Sequence, residues 1–141
     1  MDLTDENRIL VKIGLDMLAH TQNYGMRALL RANNLEYKKL STYHVGFVLG
    51  PCINASGRLD TAQHAMRLLL ASTEEEAEAS ASLLMKFNNE RKAMTQENVE
   101  KAIAIVEKEM PDDKVLVVYL PECHESIAGI VAGKVREKFY R

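Results

Sequence analysis

The chain has 141 residues, 47% hydrophobic and 27% charged, the make-up of a globular domain with a sizeable core rather than of a disordered tail. A net charge of −2 excludes whole-molecule attraction to nucleic acid while leaving room for a local basic face, and no run reaches the roughly 18 apolar residues that cross a bilayer. The start "MDLTDENRIL" lacks the features of a signal peptide, and Cys52 and Cys123 stand without Cys-x-x-Cys or histidine clusters, so a cytoplasmic protein with reduced thiols and no structural zinc site is expected.

From Asp5 to about Ala19, Ile9, Leu10, Ile13, Met17 and Leu18 recur at helical spacing behind Thr4 or Asp5 as N-cap, which predicts a first helix. "YGMRALLRANNLEY" predicts a second, with Met26, Leu29 and Leu30 inward, Arg27 and Arg31 stacked on the other side, and Asn33 and Asn34 at its end. "STYHVGFVLGP" fits an alternating strand as well as a helix. A short helix stopped before Pro51 is the favoured reading. The stretch "GPCINASGRLD" then reads as a loop, and "TAQHAMRLLLA" as a compact helix from about Thr61 to Ala71.

Ser72 with Glu75, or Thr73 with Glu76, forms a capping box, and the glutamates that follow suit the positive end of a helix dipole better than a metal site. Neither glycine nor proline occurs from Thr73 to Met110, which allows one helix of about 57 Å. Its apolar stripe runs through Ala77, Ala81, Leu84 and Phe87, then through Val99, Ile103, Val106 and Met110. Between them "NNERKAMTQEN" offers only Ala93 and Met94, the pattern of a strut whose centre, Asn88 to Asn98, is exposed between two bodies. Beyond Pro111, "KVLVVYL" reads as a strand buried on both faces of a parallel sheet, followed by a helix with Ile127, Val131, Val135 and Phe139 inward. A lone strand from Lys114 to Leu120 needs neighbours, so the chain is expected to be an internal fragment of a larger protein.

Two polar insertions carry the candidate chemistry. Arg58 follows the flexible residues Asn54, Ser56 and Gly57, where a fixed guanidinium suits bidentate phosphate recognition. It could equally brace the fold against Asp60 or Glu36. Glu122 to Ser126 lie at a helix N-terminus, where His124 could contact a phosphate or donate a proton, or where His124 or Ser126 simply caps the helix.

"GPCINASGRLD" resembles the Gly-Pro-x-Ile-Asn-Ala-x-Gly-Arg-Leu motif of the RecJ family, single-strand-specific DNA exonucleases of the DHH phosphoesterase superfamily. "CHESIAGIVAGKVRE" resembles that family's later His-Glu motif, and "ENRILVKIGL" the segment after its last metal-binding aspartate. The resemblance implies a mostly α fold with one α/β element. It assigns residues 1–72 to the end of a DHH catalytic domain, 73–110 to a connecting helix, and 111–141 to the first strand and helix of a DHH-associated domain. The implied activity is 5′→3′ removal of mononucleotides from single-stranded DNA in repair and recombination. Mn²⁺ or Mg²⁺ would be held by motifs that precede Met1, so the fragment alone is expected to bind no metal and to be inactive. Arg58 and His124 are the implied catalytic pair, and Asn54, Gly57, Glu125, Ser126 and Lys134 join them in binding substrate. Gly129 also matches the second motif, whereas Cys52 departs from a position that relatives fill with a basic residue. The implied partners of the full-length enzyme are single-stranded DNA, single-strand-binding protein and repair helicases, with no membrane. The alternatives are a superfamily phosphodiesterase acting on oligoribonucleotides or cyclic dinucleotides, and a helical scaffold.

Overall fold

The computed structural model describes residues 3–36 and 38–140. Their regular structure is helical: α1 (Asp5–Ala19), α2 (Tyr24–Ala32), a π-helical turn (His44–Leu49), α3 (Gly50–Leu59), α4 (Gln63–Leu69), α5 (Glu74–Glu109) and α6 (Glu125–Phe139). The chain divides into two compact units, residues 1–88 and 89–141, and the boundary falls inside α5.

In the first unit, Leu29, Leu30, Leu49, Cys52, Leu68, Ala77, Ala81 and Leu84 form one buried cluster drawn from α2, the π turn, α3, α4 and the start of α5. Each buried leucine contributes about 1.5–3 kcal/mol relative to exposure. Gly25 lets α2 lie directly on the end of α4: a Cβ there would stand 1.8 Å from the Leu68 carbonyl oxygen. Asn34, just past the Asn33 C-cap of α2, takes the left-handed conformation that asparagine tolerates, with φ 55°. The arginines opposite the core side of α2 form a two-rung ladder with the start of α5, Arg27 to Glu74 at 2.8 Å and Arg31 to Glu78 at 2.6 Å. Glu36, 3.5 Å away, is the largest influence holding the Arg31 guanidinium above its ordinary pKa; Glu78 and Glu74 add to it and desolvation opposes it. The capping box forms with Thr73, whose Oγ1 accepts the Glu76 N–H while the Glu76 carboxylate accepts from Ser72 N–H.

Two expectations about this unit are corrected, and α1 packs by a flank that its sequence pattern did not single out. Along α1, Ile9, Leu10, Ile13 and Met17 are more than half exposed, and the side that packs on the cluster carries Leu15 and Leu18. The period was right, but α1 has two apolar flanks and the pattern does not choose between them. Pro51 does not stop the preceding helix, and "GPCINASGRL" is itself helical rather than a loop. A proline ring clashes with the carbonyl four residues back in an α-helix. The π turn avoids the clash by widening the register, so that Gly50 N–H bonds the Val45 carbonyl. A Cβ at Gly50 would come within 2.9 Å of that same oxygen, which makes glycine the fitting residue there.

In the second unit, Val99, Ala102 and Val106 of α5 pack with Val131 and Val135 of α6, and Ile127 is fully buried. The segment from Lys114 to Leu120 forms no strand among the described residues, opening on a bend at Lys114 and Val115, so the expected α/β element is absent. Its burial is one-sided: Leu116, Val118 and Leu120 pack on the cluster, while Val115, Val117 and Tyr119 are 75%, 73% and 81% exposed. A strand is a property of a paired ladder, and the apolar run records propensity without supplying the pair.

The centre of α5 is not the exposed strut expected. Asn88, Thr95 and Asn98 are 3%, 3% and 7% exposed, and Arg91 is half-buried. These positions continue the spacing of Ala77, Ala81 and Leu84 without a break, so the inward stripe persists and only its chemistry changes. Thr95 Oγ1 donates to the Arg91 carbonyl at 2.7 Å and Asn98 Nδ2 to the Met94 carbonyl at 2.8 Å, which satisfies these buried groups on their own helix.

Candidate functional site

The sequence-predicted residues fall into two groups, one in each unit. Asn54, Gly57 and Arg58 lie three and four residues apart on α3 and share one exposed face, while Cys52, Ala55 and Ser56 face the core with no exposure. Three features anchor this face from below: the burial of that inner flank, a hydrogen bond from Ser56 Oγ to the Ile53 carbonyl at 3.3 Å, and the exit of the chain at Asp60, whose N–H still bonds Ser56 O at 2.8 Å. The two carboxylates considered as braces for Arg58 each lie beside a second side chain. Asp60 lies 3.0 Å from His64 Nε2, and Glu36 pairs with Arg31. Gly57 has only ordinary contact with Ala62, 3.6 Å from a notional Cβ. Its smoothness on the exposed face, rather than a backbone requirement, is what glycine supplies there. Cys52 is buried and offers no surface contact.

The second group surrounds the start of α6. His124 is its N-cap, in extended conformation with φ −61° and ψ 131°, and its Nδ1 accepts the Ser126 backbone N–H at 3.3 Å with Ser126 Oγ 2.7 Å away. The capping role weighed from sequence is therefore present. A backbone N–H can only donate, so Nδ1 is the acceptor and the proton of the neutral ring sits on Nε2. That leaves Nε2–H as a donor for an incoming oxygen, beside the N–H groups of the first turn at the positive end of the helix. Glu125 and Gly129 are exposed on one side of α6, and Ser126 is half-buried. Lys134 is exposed but lies about 140° around the helix from Gly129, so it does not join that side. An open apolar groove of about 700 Å³ between residues 114–120 and α6 contains none of these residues.

Among the described residues no three His, Cys, Asp or Glu side chains are gathered to hold a metal ion. No helix among those residues is long and apolar enough to cross a membrane.

No family model matches the chain. Curated relatives do: it is 34% identical over 139 residues to the single-stranded-DNA-specific exonuclease RecJ of Bacillus subtilis and 36% identical over 144 residues to that of Escherichia coli. The match takes in 99% of this chain in both cases, and 18% and 25% of those relatives. The chain is homologous to a segment of RecJ. The crystal structure of RecJ from Thermus thermophilus in complex with Mg²⁺ superposes with a TM-score of 0.88 at 32% identity, covering all of this chain and 22% of that one. A manganese-bound exonuclease RecJ gives 0.86 at 33% identity, covering 99% of this chain and 34% of that one. The helical architecture, including α5 and the helical course of "GPCINASGRL", thus belongs to a part of the RecJ fold. The buried polar positions of α5 were the feature that sequence reasoning missed, although the unbroken spacing from Ala77 through Asn88 carried the signal.

Proposed function

We propose that this chain is part of a metal-dependent, single-strand-specific DNA exonuclease of the RecJ type, cytoplasmic, acting 5′→3′ in DNA repair and recombination. On this reading residues 1–72 complete a catalytic domain, 73–110 form the connecting helix and 111–141 begin a second domain. Single-stranded DNA is the substrate, and single-strand-binding protein and repair helicases are the partners. RecJ structures contain Mg²⁺ or Mn²⁺. The whole enzyme takes such an ion on ligands other than those gathered here, and the isolated chain is inactive.

The observation that carries the proposal is the exposed face of Asn54, Gly57 and Arg58 in a chain homologous to RecJ over nearly its full length. Gly57 leaves the surface flat enough for a backbone phosphate to approach the helix, and the planar Arg58 fork meets two phosphate oxygens at once. Asn54, one turn earlier, offers an amide donor to the same strand. His124 and Ser126 supply a second anchor, in which Nε2–H at the positive end of the helix dipole receives an anionic oxygen. Glu125 and Lys134 assist binding at that end.

The test uses the full-length protein with Mn²⁺ and a 5′-labelled single strand. Release of labelled mononucleotide, falling on Arg58→Ala by about a hundredfold with Arg58→Lys restoring only part, is the expected result. Full turnover by Arg58→Ala would remove Arg58 from the substrate site. Metal-dependent digestion by the isolated 141-residue chain would overturn the division of labour proposed here.

A further inference from the structure

We propose that Asn88, on α5, is a positioning residue for Arg58, acting through a buried chain of hydrogen bonds that sets the rotation of α3. The inference rests on the functional reading of Arg58 given above. Asn88 Nδ2 donates to Cys52 Sγ at 3.2 Å, and the Cys52 thiol faces the Asn33 side-chain oxygen at 3.7 Å. Asn33 Nδ2 in turn donates to the Leu29 carbonyl at 2.9 Å. The links run from α5 through α3 to the end of α2, against an apolar cluster. Met85 Sδ lies 3.6 Å from the same thiol and closes its remaining side.

Why an amide should stand here follows from what apolar packing cannot do. Leucine or valine at position 88 would fill the space and spare the desolvation of an amide, which is costly unless its partners are in place. Apolar contact is non-directional, however, and does not by itself fix the rotation of α3, which follows directly on a π turn. A bond from Asn88 to Cys52 has a direction, so it selects one rotation. Because Cys52 lies on the inner flank of α3 and Asn54, Gly57 and Arg58 lie on the outer flank of the same short helix, the rotation chosen at Cys52 is the rotation presented at Arg58. A displacement of about 1 Å at a positioning group can cost up to a hundredfold in function, so a modest rotation suffices to matter.

The experiment is a double-mutant cycle in the full-length protein, reading oligothymidylate affinity by fluorescence anisotropy without turnover, alongside thermal unfolding. Asn88→Leu is expected to unfold near the parent temperature yet bind about tenfold more weakly, and adding Arg58→Ala to it should cost less than about twofold more, although Arg58→Ala alone costs about tenfold. Cys52→Ser, which keeps an acceptor for Asn88, should restore most of the affinity lost in Cys52→Val. If Asn88→Leu does not fold, Cys52→Val carries the same cycle. Penalties at 88 and 58 that add in full, or unchanged binding by Asn88→Leu, would overturn the inference while leaving Arg58 as a substrate contact. Unchanged binding by Arg58→Ala alone would overturn the functional reading and this inference with it.

Discussion

Arg58 rides on the flank of a completed helix held from beneath by Cys52, Ala55 and Ser56, whereas His124 is itself part of the start of α6, its ring nitrogen accepting the Ser126 N–H. The first residue caps no helix; the second cannot be removed without uncapping α6. A substitution at Arg58 therefore leaves the caps of its helix in place, whereas one at His124 changes a cap as well as a side chain. A kinetic defect at position 124 means little until the cap has been restored by other chemistry.

The contrast can be broken most forcefully from the packing beneath Arg58. Gly25→Ala drives a methyl group into the Leu68 carbonyl, and relief requires α2 to move off α4. A loss of about 3 kcal/mol or more is expected by chemical denaturation, with the α3 face losing hydrogen-exchange protection and the α6 cap keeping its own. Next in size is His124→Ala, expected to cost about 1 kcal/mol through the lost cap. His124→Asn should recover that stability while leaving DNA binding impaired, which separates the cap from the ring. Arg58→Ala should shift stability by less than about 0.5 kcal/mol, the range of a surface substitution. A larger loss would make Arg58 a brace and erase the difference between the two sites.

The smallest effect belongs to Glu97 and Lys101, an exposed pair on α5 that serves as a baseline for charge without a site. The hydrogen bond from Lys101 Nζ, then its charge, lowers the Glu97 pKa below its ordinary value. The folded pKa lies below the unfolded one, so the pair's contribution is present above the ordinary carboxylate pKa and is lost as pH falls through the depressed value. Carbon-13 titration of Glu97 should show this depression, and Lys101→Met should abolish it with little change in unfolding temperature.

Periodicity and capping made much of the fold legible. The bounds of α1, the inward Leu29 and Leu30 of α2, the Thr73–Glu76 box and the Ile127–Val131–Val135 stripe of α6 follow from local rules that the tertiary structure does not override. Where the reading failed, the missing information was not local. Whether Pro51 ends a helix depends on the turn before it, and a π turn has no sequence signature as plain as a glycine C-cap. The polar centre of α5 was read as exposed because hydrophobicity was counted in place of spacing: Asn88, Arg91, Thr95 and Asn98 keep the inward positions while giving up apolar character. For the candidate site, residue identities were readable from the two motifs. The helical presentation of Arg58 and the tautomer imposed on His124 required coordinates.

The π turn at His44–Leu49 makes chain length in that stretch a steering parameter. Removing one residue between 44 and 49 would turn the wide turn into an ordinary α-turn, and because a π turn holds one residue more for about the same rotation, the heading of α3 would be kept. Removing a second would rephase everything downstream by about 100°. Every side chain from Gly50 to Leu59 would then be chemically unaltered while the flank facing outward changed, so this stretch has one residue of slack and no more.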